Sequence, residues 1–558
     1  MIILHYLIQR DVKMKSFVFI CLFFLFLILT GCGEKKAYDF VKFEHNLEVL
    51  RQELKIPAMS AVIAKNQEIV WVNGFGYADL ENKIGSTADT PYMLASLTKT
   101  FASTIILQLV EQGKINLEDP ISKYGINLDR AREYKMDVWS EDSIKVKHLL
   151  SHTAQGRPGS YYRYNGFLFG NLDDIIEKSS GHTFGELLVQ NIVKPLRLQN
   201  TAPNIRDTLN FQLVGATFED FYNKLAKPYK LDSLFQVKES EYETYFGTSA
   251  GLMISAIDMA KYSLAIDENK FLKKETQQLA FTPMISTAGD TLPYGYGWFI
   301  YNYKGLKYVW HYGLWNTNSS LIIKVPQKDL TFVILANSNN LTRPTSLGSG
   351  DLLTSLFSLE FIKTFILYNE DLPVVDHRIT ATEFKEKWKA VQGTPFKDMY
   401  EKEIFAYARL YGSVGEQEKA TSLMRMFQST YARELPVKFS GMYLLVKIDS
   451  VKDNEERSIE FNLEKESAVH IFAVGEGQGQ EIWDYGWVEN TDKNIIWQMN
   501  GAETIHAGGA EKNRMIDTMV VLPAGKYLLK YKSDNSHSYD LWNDLPPAYD
   551  FYGIMLYR

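Results

Sequence analysis

The stretch that decides the fold runs from Tyr92 to Lys114 and reads YMLASLTKTFASTIILQLVEQGK. Apolar residues recur at helical spacing after Ser96, and Gly113 follows them, which predicts an α-helix that ends near this glycine. Ser96 and Lys99 lie at its start, one helical turn apart and on the same face. A lysine buried behind a serine has its pKa lowered by desolvation and can act as a base. The pair therefore predicts a serine nucleophile that needs no histidine.

Strand patterns occur on both sides of this helix in the sequence. Residues 56–81 alternate apolar and polar side chains around a turn at Lys65-Asn66-Gln67, which predicts a β-hairpin. Residues 115–245 mix helices with irregular segments, strands return over 295–338, and a helix is expected at about 349–368. Strands so far apart in sequence predict one antiparallel sheet flanked by helices, an α/β (α+β) sandwich with an all-helical subdomain.

The remaining chain changes character twice. Residues 380–433 are amphipathic and helical, whereas short strands with turn residues follow from about 437 and predict a β-sandwich. Trp483, Trp487, Trp497 and Trp542 are expected to pack in its core, with contact to carbohydrate as the alternative. The predicted order is a signal segment (1–32), a tether (33–45), the main domain (46–370), a helical connector (371–436) and an accessory β domain (437–558).

The N-terminal segment predicts export. After Met14 and a lysine, an apolar run leads to Leu29-Thr30-Gly31-Cys32, as in a signal peptide. These four residues resemble the lipobox of bacterial lipoproteins, which implies a lipid on Cys32 and a membrane-anchored protein facing the periplasm or cell surface. An uncleaved anchor and a plain signal peptide are the alternatives to a lipoprotein signal. Translation starts at either Met1 or Met14. Cys21 is the second of only two cysteines, so no disulfide is expected in the mature chain.

Composition and motifs exclude several classes of function. The net charge is −7 and basic residues do not cluster, so a nucleic-acid partner is not expected. The sequence has no HExxH motif, P-loop or dinucleotide fingerprint, and neither a cofactor nor a metal is expected. His148 and His152 lie four positions apart but lack a third ligand at fitting spacing, so a structural role is expected for both.

Several landmarks downstream of Ser96 point to one family. They are HLLSHTAQG, YRYNGFLFGNLDDIIEKSSG, AGLMISAIDMAKY, YGYGWFI, WHYG and FVILANS. With the hairpin and the Ser96 helix, they resemble the serine β-lactamase and penicillin-binding-protein superfamily over roughly residues 45–370. The class C β-lactamases, DD-peptidases and related esterases are the branch they resemble most.

The resemblance implies roles for individual residues. Ser96 corresponds to the acylated nucleophile and Lys99 to its base partner. Tyr164 corresponds to the tyrosine of a Tyr-x-Asn motif, where a nearby Lys⁺ would lower its pKa and let it shuttle protons; Tyr162 is the alternative register. Gly166 stands where the family has asparagine. This departure puts selectivity for β-lactams and peptides in doubt, and the neighbouring Asn165 is a candidate substrate contact only if the loop path differs.

A third motif completes the implied site. His311-Tyr312-Gly313 stands where the family often has Lys-Thr-Gly. His311 would stabilise the tetrahedral intermediate or orient the Tyr164 hydroxyl, and a strand histidine satisfied by backbone is the alternative. Gly313 would let the substrate backbone approach closely. The N–H groups of Ser96 and Leu314 would form the oxyanion hole.

These observations predict an exported serine hydrolase that forms an acyl-enzyme. Its substrate would be an ester, a D-amino-acid peptide, a peptidoglycan stem or a β-lactam. The His-x-Gly motif and the missing asparagine favour an esterase or a peptidase over a β-lactamase. A catalytically weak protein that binds penicillin or cell wall is the alternative.

Overall fold

The computed structural model describes residues 38–203, 217–370, 372, 381–431, 443–478 and 481–558. The predicted signal segment, including Cys32, lies outside these residues. Within them, no helix combines the length and the apolar character needed to cross a membrane.

A seven-stranded antiparallel sheet organises the first half of the chain. Strands β1 to β12 span Ala58–Lys65, Glu68–Asp79, Ile84–Gly85, Pro91–Met93, Thr201–Ala202, Tyr229–Leu231, Val237–Glu239, Met253–Ser255, Phe299–Tyr303, Leu306–Leu314, Ser319–Val325 and Leu330–Ala336. The main sheet has the order β3-β2-β1-β12-β11-β10-β9, and two smaller sheets have the orders β4-β8-β5 and β6-β7. The predicted hairpin is confirmed as β1 and β2, with Asn66 and Gln67 at φ 50° and 65° in the turn.

Helices cover both faces of this sheet. Helices α1 to α12 span Phe40–Glu53, Lys99–Glu111, Asp129–Glu133, Val146–Leu150, Gly166–Gly170, Leu172–Ser180, Phe184–Leu188, Lys194–Leu196, Phe218–Tyr222, Ala256–Asp267, Lys274–Ala280 and Leu356–Phe361. Val62 of β1 lies in one core with Phe101 of α2, and the next residue, Ile63, lies in the opposite core with Phe43 of α1. Alternation along one strand thus fills two cores. The predicted antiparallel sheet flanked by helices is confirmed.

Two helix boundaries differ from the sequence prediction. Helix α1 begins at Phe40, inside the stretch predicted as a tether, because the Asp39 side chain accepts the Lys42 N–H and caps it. The helix predicted at 349–368 is shorter. Gly350 adopts a left-handed φ of 93° and interrupts it, so α12 starts only after Ser355, whose side chain accepts the Ser358 N–H and caps it.

Three helices follow the sheet domain. Helices α13 to α15 span Ala381–Val391, Lys397–Ser413 and Gln417–Tyr431. Met399 and Leu410 of α14 join a core of the sheet domain, whereas Tyr400 of the same helix packs in a cluster with Phe472 of the C-terminal region. Helix α14 therefore contacts both parts of the protein.

The C-terminal region is a nearly closed antiparallel barrel. Strands β13 to β21 span Leu444–Ile448, Glu456–Leu463, Ser467–Gln478, Glu481–Asn490, Ile495–Gln498, Ile505–His506, Asn513–Leu522, Gly525–Lys532 and Gly553–Tyr557. They form one sheet with the path β13-β21-β15-β16-β20-β14, whose end strands β13 and β14 lie beside each other. The predicted β-sandwich is therefore wrong. The long strand β15 pairs with β21, β19 and β16, and it joins what would otherwise be two separate sheets.

The barrel tryptophans divide into two groups. Trp487 and Trp542 are buried, each 8% exposed, as predicted for core residues. Trp483 and Trp497 are half-buried. Contact with carbohydrate stays a prediction.

Candidate active site

Ser96 lies in a short 3-10 turn, Ala95–Thr98, that runs directly into α2. Ala95 has a φ of 50°, a left-handed conformation that costs free energy for a residue with a side chain. The Thr98 hydroxyl donates to the Ala95 carbonyl at 2.7 Å and accepts the Leu252 N–H at 3.1 Å. The turn that presents Ser96 is thus strained and held from two sides.

The edge of the sheet supports this turn. A Cβ atom at Gly313 of β10 would lie 1.9 Å from the Leu94 carbonyl oxygen, so only glycine fits there. The Ser320 hydroxyl donates to the same carbonyl at 2.6 Å. The missing side chain of Gly313 therefore lets the segment before Ser96 pack against β10. The prediction from the sequence was that this space lets the substrate backbone approach. Leu314 is 39% exposed at the cleft, and the predicted oxyanion pair stays a prediction.

Lys99 is completely buried behind Ser96. Its Nζ donates to Ser96 Oγ at 3.1 Å and to the Ser249 carbonyl at 2.7 Å. Burial lowers the pKa of Lys99 to about 7, and no acidic side chain of the described residues pairs with it. A large fraction of this amine is therefore neutral near pH 7 and can accept the proton of Ser96.

Tyr164, rather than Tyr162, lies beside this pair. The Lys99 Nζ is 5.1 Å from the centre of the Tyr164 ring, whereas the Tyr162 hydroxyl donates to the Gly348 carbonyl at 3.0 Å. The Tyr164 hydroxyl is buried and interacts with the Ser96 side chain. Burial raises its pKa well above the usual value. The expected lowering is wrong, because desolvation of the buried hydroxyl dominates its pKa.

Asn165 does not replace the asparagine missing at position 166. Its side-chain oxygen accepts the Leu168 N–H at 3.0 Å and caps α5, while its amide nitrogen donates to Gln155 at 2.9 Å. Both ends of the predicted substrate contact are thus engaged within the protein. A Cβ atom at Gly166 would lie 3.7 Å from Lys99 Nζ, so a longer polar side chain there would reach the amine. Glycine leaves space beside Lys99 instead.

His311 is completely buried, and both of its ring nitrogens have partners. Nε2 lies 2.8 Å from the Tyr294 hydroxyl, and Nδ1 lies 2.7 Å from the Tyr312 carbonyl. Since a carbonyl only accepts, Nδ1 carries the proton and Nε2 accepts from Tyr294. Burial also lowers the pKa of His311 well below its usual value, so the ring is neutral. Its predicted role toward the substrate stays a prediction.

The two other histidines of this region support the loops. His148 Nδ1 accepts the Lys145 N–H at 3.1 Å, and His152 Nδ1 accepts the Asn165 N–H at 3.1 Å. The His152 ring lies 4.3 Å from the ring of Tyr164, and burial holds its pKa well below the usual value. His152 thus packs a neutral ring against Tyr164.

Asp173 has a contact that the sequence analysis missed. Its position in the first turn of α6 accounts for a carboxylate there, since the helix dipole favours negative charge. In the structure, Asp173 Oδ1 also accepts the Thr248 N–H at 2.8 Å, next to the Ser249 carbonyl that receives Lys99. Burial raises the pKa of Asp173 to about 6. No local pattern marks this contact, because its two partners lie far apart in sequence.

Ser96 and Lys99 open into a cleft of about 1120 Å³. Its wall carries charges of both signs together with aromatic rings. These residues are Arg130, Arg343, Asp173, Asp174, Phe167, Tyr245 and Trp315. Most of them fall outside the family motifs, and motif reasoning therefore had no signal for them. The cleft suits a polar substrate larger than a simple acetyl ester.

Known proteins share the first part of the chain. The profile of the family described as Beta-lactamase matches residues 43–349. Protein flp of Staphylococcus aureus (strain MW2) is 26% identical over 335 residues, which cover 53% of this chain and 62% of that protein. Penicillin-binding protein 4* of Bacillus subtilis (strain 168) is 22% identical over 318 residues, covering 50% and 67%. The octameric penicillin-binding protein homologue from Pyrococcus abyssi is 26% identical with a TM-score of 0.47, covering 54% and 74%. The chain thus spans less than two thirds of the length of Protein flp.

Proposed function

Because the chain belongs to the Beta-lactamase family, we propose that it is a serine hydrolase that forms a covalent acyl-enzyme on Ser96. The contact between Lys99 Nζ and Ser96 Oγ, at 3.1 Å, carries the proposal. A buried amine with a pKa of about 7 is half neutral at that pH, and it lies within reach of the proton it must remove.

Acylation begins when neutral Lys99 accepts the hydroxyl proton of Ser96. Ser96 Oγ then bonds to the carbonyl carbon of the substrate, and the negative charge moves to the carbonyl oxygen. The N–H groups of Ser96 and Leu314 stabilise this oxyanion. Lys99 thus holds the hydroxyl proton while Ser96 Oγ attacks the substrate.

Tyr164 completes the step by acting on the leaving group. Its high pKa keeps the hydroxyl protonated, so it donates a proton as the bond to the leaving group breaks. The Lys99 ammonium returns its proton to Tyr164, which restores both groups. Water then attacks the acyl-enzyme and gives a proton to the neutral amine. The bond between the acyl carbon and Ser96 Oγ breaks, the Lys99 ammonium returns the proton to Oγ, and the acid leaves.

We further propose that esters and short peptide amides are better substrates than β-lactams. Gly166 offers no side chain to a β-lactam amide, and Asn165 is engaged elsewhere. Arg130, Arg343 and the acids of the cleft suit a chain that carries both charges. Hydrolysis of a panel containing an activated ester, a D-amino-acid dipeptide and nitrocefin tests this order. Faster turnover of nitrocefin than of the other two would reverse it.

Covalent labelling tests the nucleophile. The protein is treated with a fluorescent fluorophosphonate and, separately, with a fluorescent penicillin, and the adduct is located by mass spectrometry. We expect an adduct on Ser96 that is absent from Ser96→Ala. The control variant Thr98→Ser, in the same 3-10 turn, should retain it. An adduct on another residue would overturn the proposed nucleophile. No adduct with either probe would favour a non-catalytic binding protein.

The N-terminal motif supports a second proposal, that the protein is exported and anchored by a lipid on Cys32. Cys32→Ser is expected to release the protein from the membrane fraction of an expressing bacterium and to abolish incorporation of labelled palmitate. Cys21→Ser is the matched control and should leave both unchanged. Palmitate incorporation that survives Cys32→Ser would contradict the anchor.

A further inference from the structure

Three acidic residues meet at one end of the barrel. Glu476 near the end of β15 and Asp484 in β16 are direct partners in the register of the two strands, and Asp534 follows β20. One carboxylate oxygen of each lies within 4.8 Å of the others. Glu476 is 2% exposed and Asp484 is fully buried, so these are not surface acids.

One oxygen of the cluster is buried without a partner. Glu476 Oε1 receives Lys512 Nζ at 2.6 Å, but Glu476 Oε2 is buried and has no hydrogen-bond partner among the described residues. Asp453, which lies within electrostatic range of Glu476, has a second such oxygen, Oδ1. Burying a carboxylate oxygen with nothing to contact it is costly, so each of these atoms calls for a ligand.

The carboxylates are also held in place. The Asp534 N–H donates to Asp484 Oδ1 and the Tyr552 hydroxyl donates to Asp484 Oδ2, both at 2.7 Å. The Ser536 N–H donates to Asp534 Oδ1 at 2.9 Å. These bonds fix the direction of the acids, as preorganised ligands require.

The charges of the cluster do not cancel. Among the described residues, Lys512 is the one cation that forms an ion pair with any of the three acids, and its partner is Glu476. The cluster therefore has a formal excess of two negative charges. A divalent cation would supply the two missing positive charges.

We propose that Glu476, Asp484 and Asp534 bind a divalent cation of the calcium class. The donors are oxygen atoms only, with no cysteine or histidine in the cluster, which suits a hard cation. The bound ion ties β15, β16 and the segment after β20 together. It therefore stabilises the barrel and takes no part in the reaction at Ser96.

The full-length protein tests this proposal after treatment with EGTA. Terbium(III) is added first, since Tyr552 contacts Asp484 and can sensitise terbium luminescence. We expect luminescence that CaCl2 displaces. In calorimetry, CaCl2 at a hundred times its dissociation constant should raise a thermal transition by about 5 °C, and EGTA should reverse the shift. A wild-type protein with neither luminescence nor a shift at 5 mM CaCl2 would overturn the proposal.

Variants assign the effect to the cluster. Asp484→Asn keeps an oxygen for the Asp534 N–H but removes a charge, and it should abolish both signals. Asp492→Asn, in an exposed turn of the same barrel, should retain both. If Asp484→Asn does not fold, Glu476→Gln takes its place. If terbium luminescence and the thermal shift persist in the cluster variant, the ion binds at another site and the proposed assignment is wrong. Labelling of Ser96 reports separately on the hydrolase, so either proposal can fail alone.

Discussion

The active-site cleft and the end of the barrel bury charge in opposite ways. In the cleft, the buried amine of Lys99 has a hydroxyl and a carbonyl as partners and no carboxylate in the part of the chain that the structure describes. In the barrel, Glu476 and Asp484 are buried with Asp534 beside them, and among the described residues only Glu476 of the three has a lysine partner. Among the described residues, the lysine of the cleft has no partner of opposite sign and the three acids of the barrel share one, so each place must lose charge or bind an ion.

The protein also contains a buried lysine that is paired with a carboxylate. Lys324 is 1% exposed, but it donates to Asp267 at 2.8 Å and forms an ion pair. Where only stability is required, this protein therefore pairs its buried lysine. Buried charge with too few partners of opposite sign therefore marks the two places where we propose function, proton transfer in the cleft and cation binding in the barrel.

The largest effect is expected from Lys99→Met compared with Lys324→Met. Lys99→Met removes the base and should lower kcat/KM about 10³-fold or more. Its melting temperature should equal or exceed that of the wild type, because an apolar chain replaces a desolvated amine. Rates on an activated ester and calorimetry measure the two effects.

Lys324→Met should behave in the opposite way. It leaves Asp267 without its partner and should cost on the order of 3 kcal/mol of the free energy of unfolding. Its kcat/KM per folded molecule should match the wild type. If Lys99→Met also lowers the free energy of unfolding and leaves kcat/KM unchanged, both lysines have a structural role only. The proposed difference between them would then be wrong.

Tyr164→Phe should have the next largest effect. The variant keeps the ring that packs against His152 but loses the proton donor, so we expect kcat to fall about 10²-fold on an alkyl ester. The loss should be smaller for a nitrophenyl ester, whose leaving group needs no proton. Tyr162→Phe is the matched control, since its hydroxyl contacts Gly348. Equal losses in both variants would remove Tyr164 from the proton path.

Local patterns in the sequence predicted part of this arrangement. Spacing by one helical turn was sufficient to pair Ser96 with Lys99, and alternation with a turn signal was sufficient for the first hairpin. Long-range contacts left no such signal. Closure of the barrel depends on β13 meeting β14, and the cluster of Glu476, Asp484 and Asp534 depends on three segments that meet only in the folded chain.

The pKa direction predicted for Lys99 is confirmed, whereas the direction predicted for Tyr164 failed for a related reason. The sequence analysis inferred a lowered pKa for Tyr164 from the charge of its lysine neighbour. Burial acts on both groups at once, lowering the pKa of Lys99 and raising that of Tyr164. The depth of a side chain is a property of the whole fold, so the neighbour alone did not determine the direction.

The pH dependence of kcat/KM is expected to show a smaller effect, which reports the protonation state of Lys99. Protonated Lys99 cannot accept the Ser96 proton, and its pKa is about 7. We therefore expect kcat/KM to be level above pH 7 and to fall about tenfold per pH unit below it. Burial keeps the pKa of His152 and His311 well below this window, so neither produces the decline. An acid limb near pH 4 to 5 would assign the base to a carboxylate.

The smallest effect is expected from Asp173→Asn, and it tests whether Lys99 truly lacks a carboxylate partner. The asparagine oxygen can still accept the Thr248 N–H, so the loop that carries the Ser249 carbonyl should stay in place. We expect kcat/KM within about threefold of wild type and an unchanged acid limb near pH 7.

A shift of that limb would contradict this assignment. Removing a carboxylate that acts on Lys99 would lower the pKa of the amine, and the limb would then move to lower pH. Asp174→Asn is the matched control, since it removes the same charge from the exposed neighbour in the same helical turn. A limb that moves in Asp173→Asn but not in Asp174→Asn would give Lys99 a counter-ion. Lys99 would then resemble Lys324, and only the barrel would still bury more charge than its partners offset.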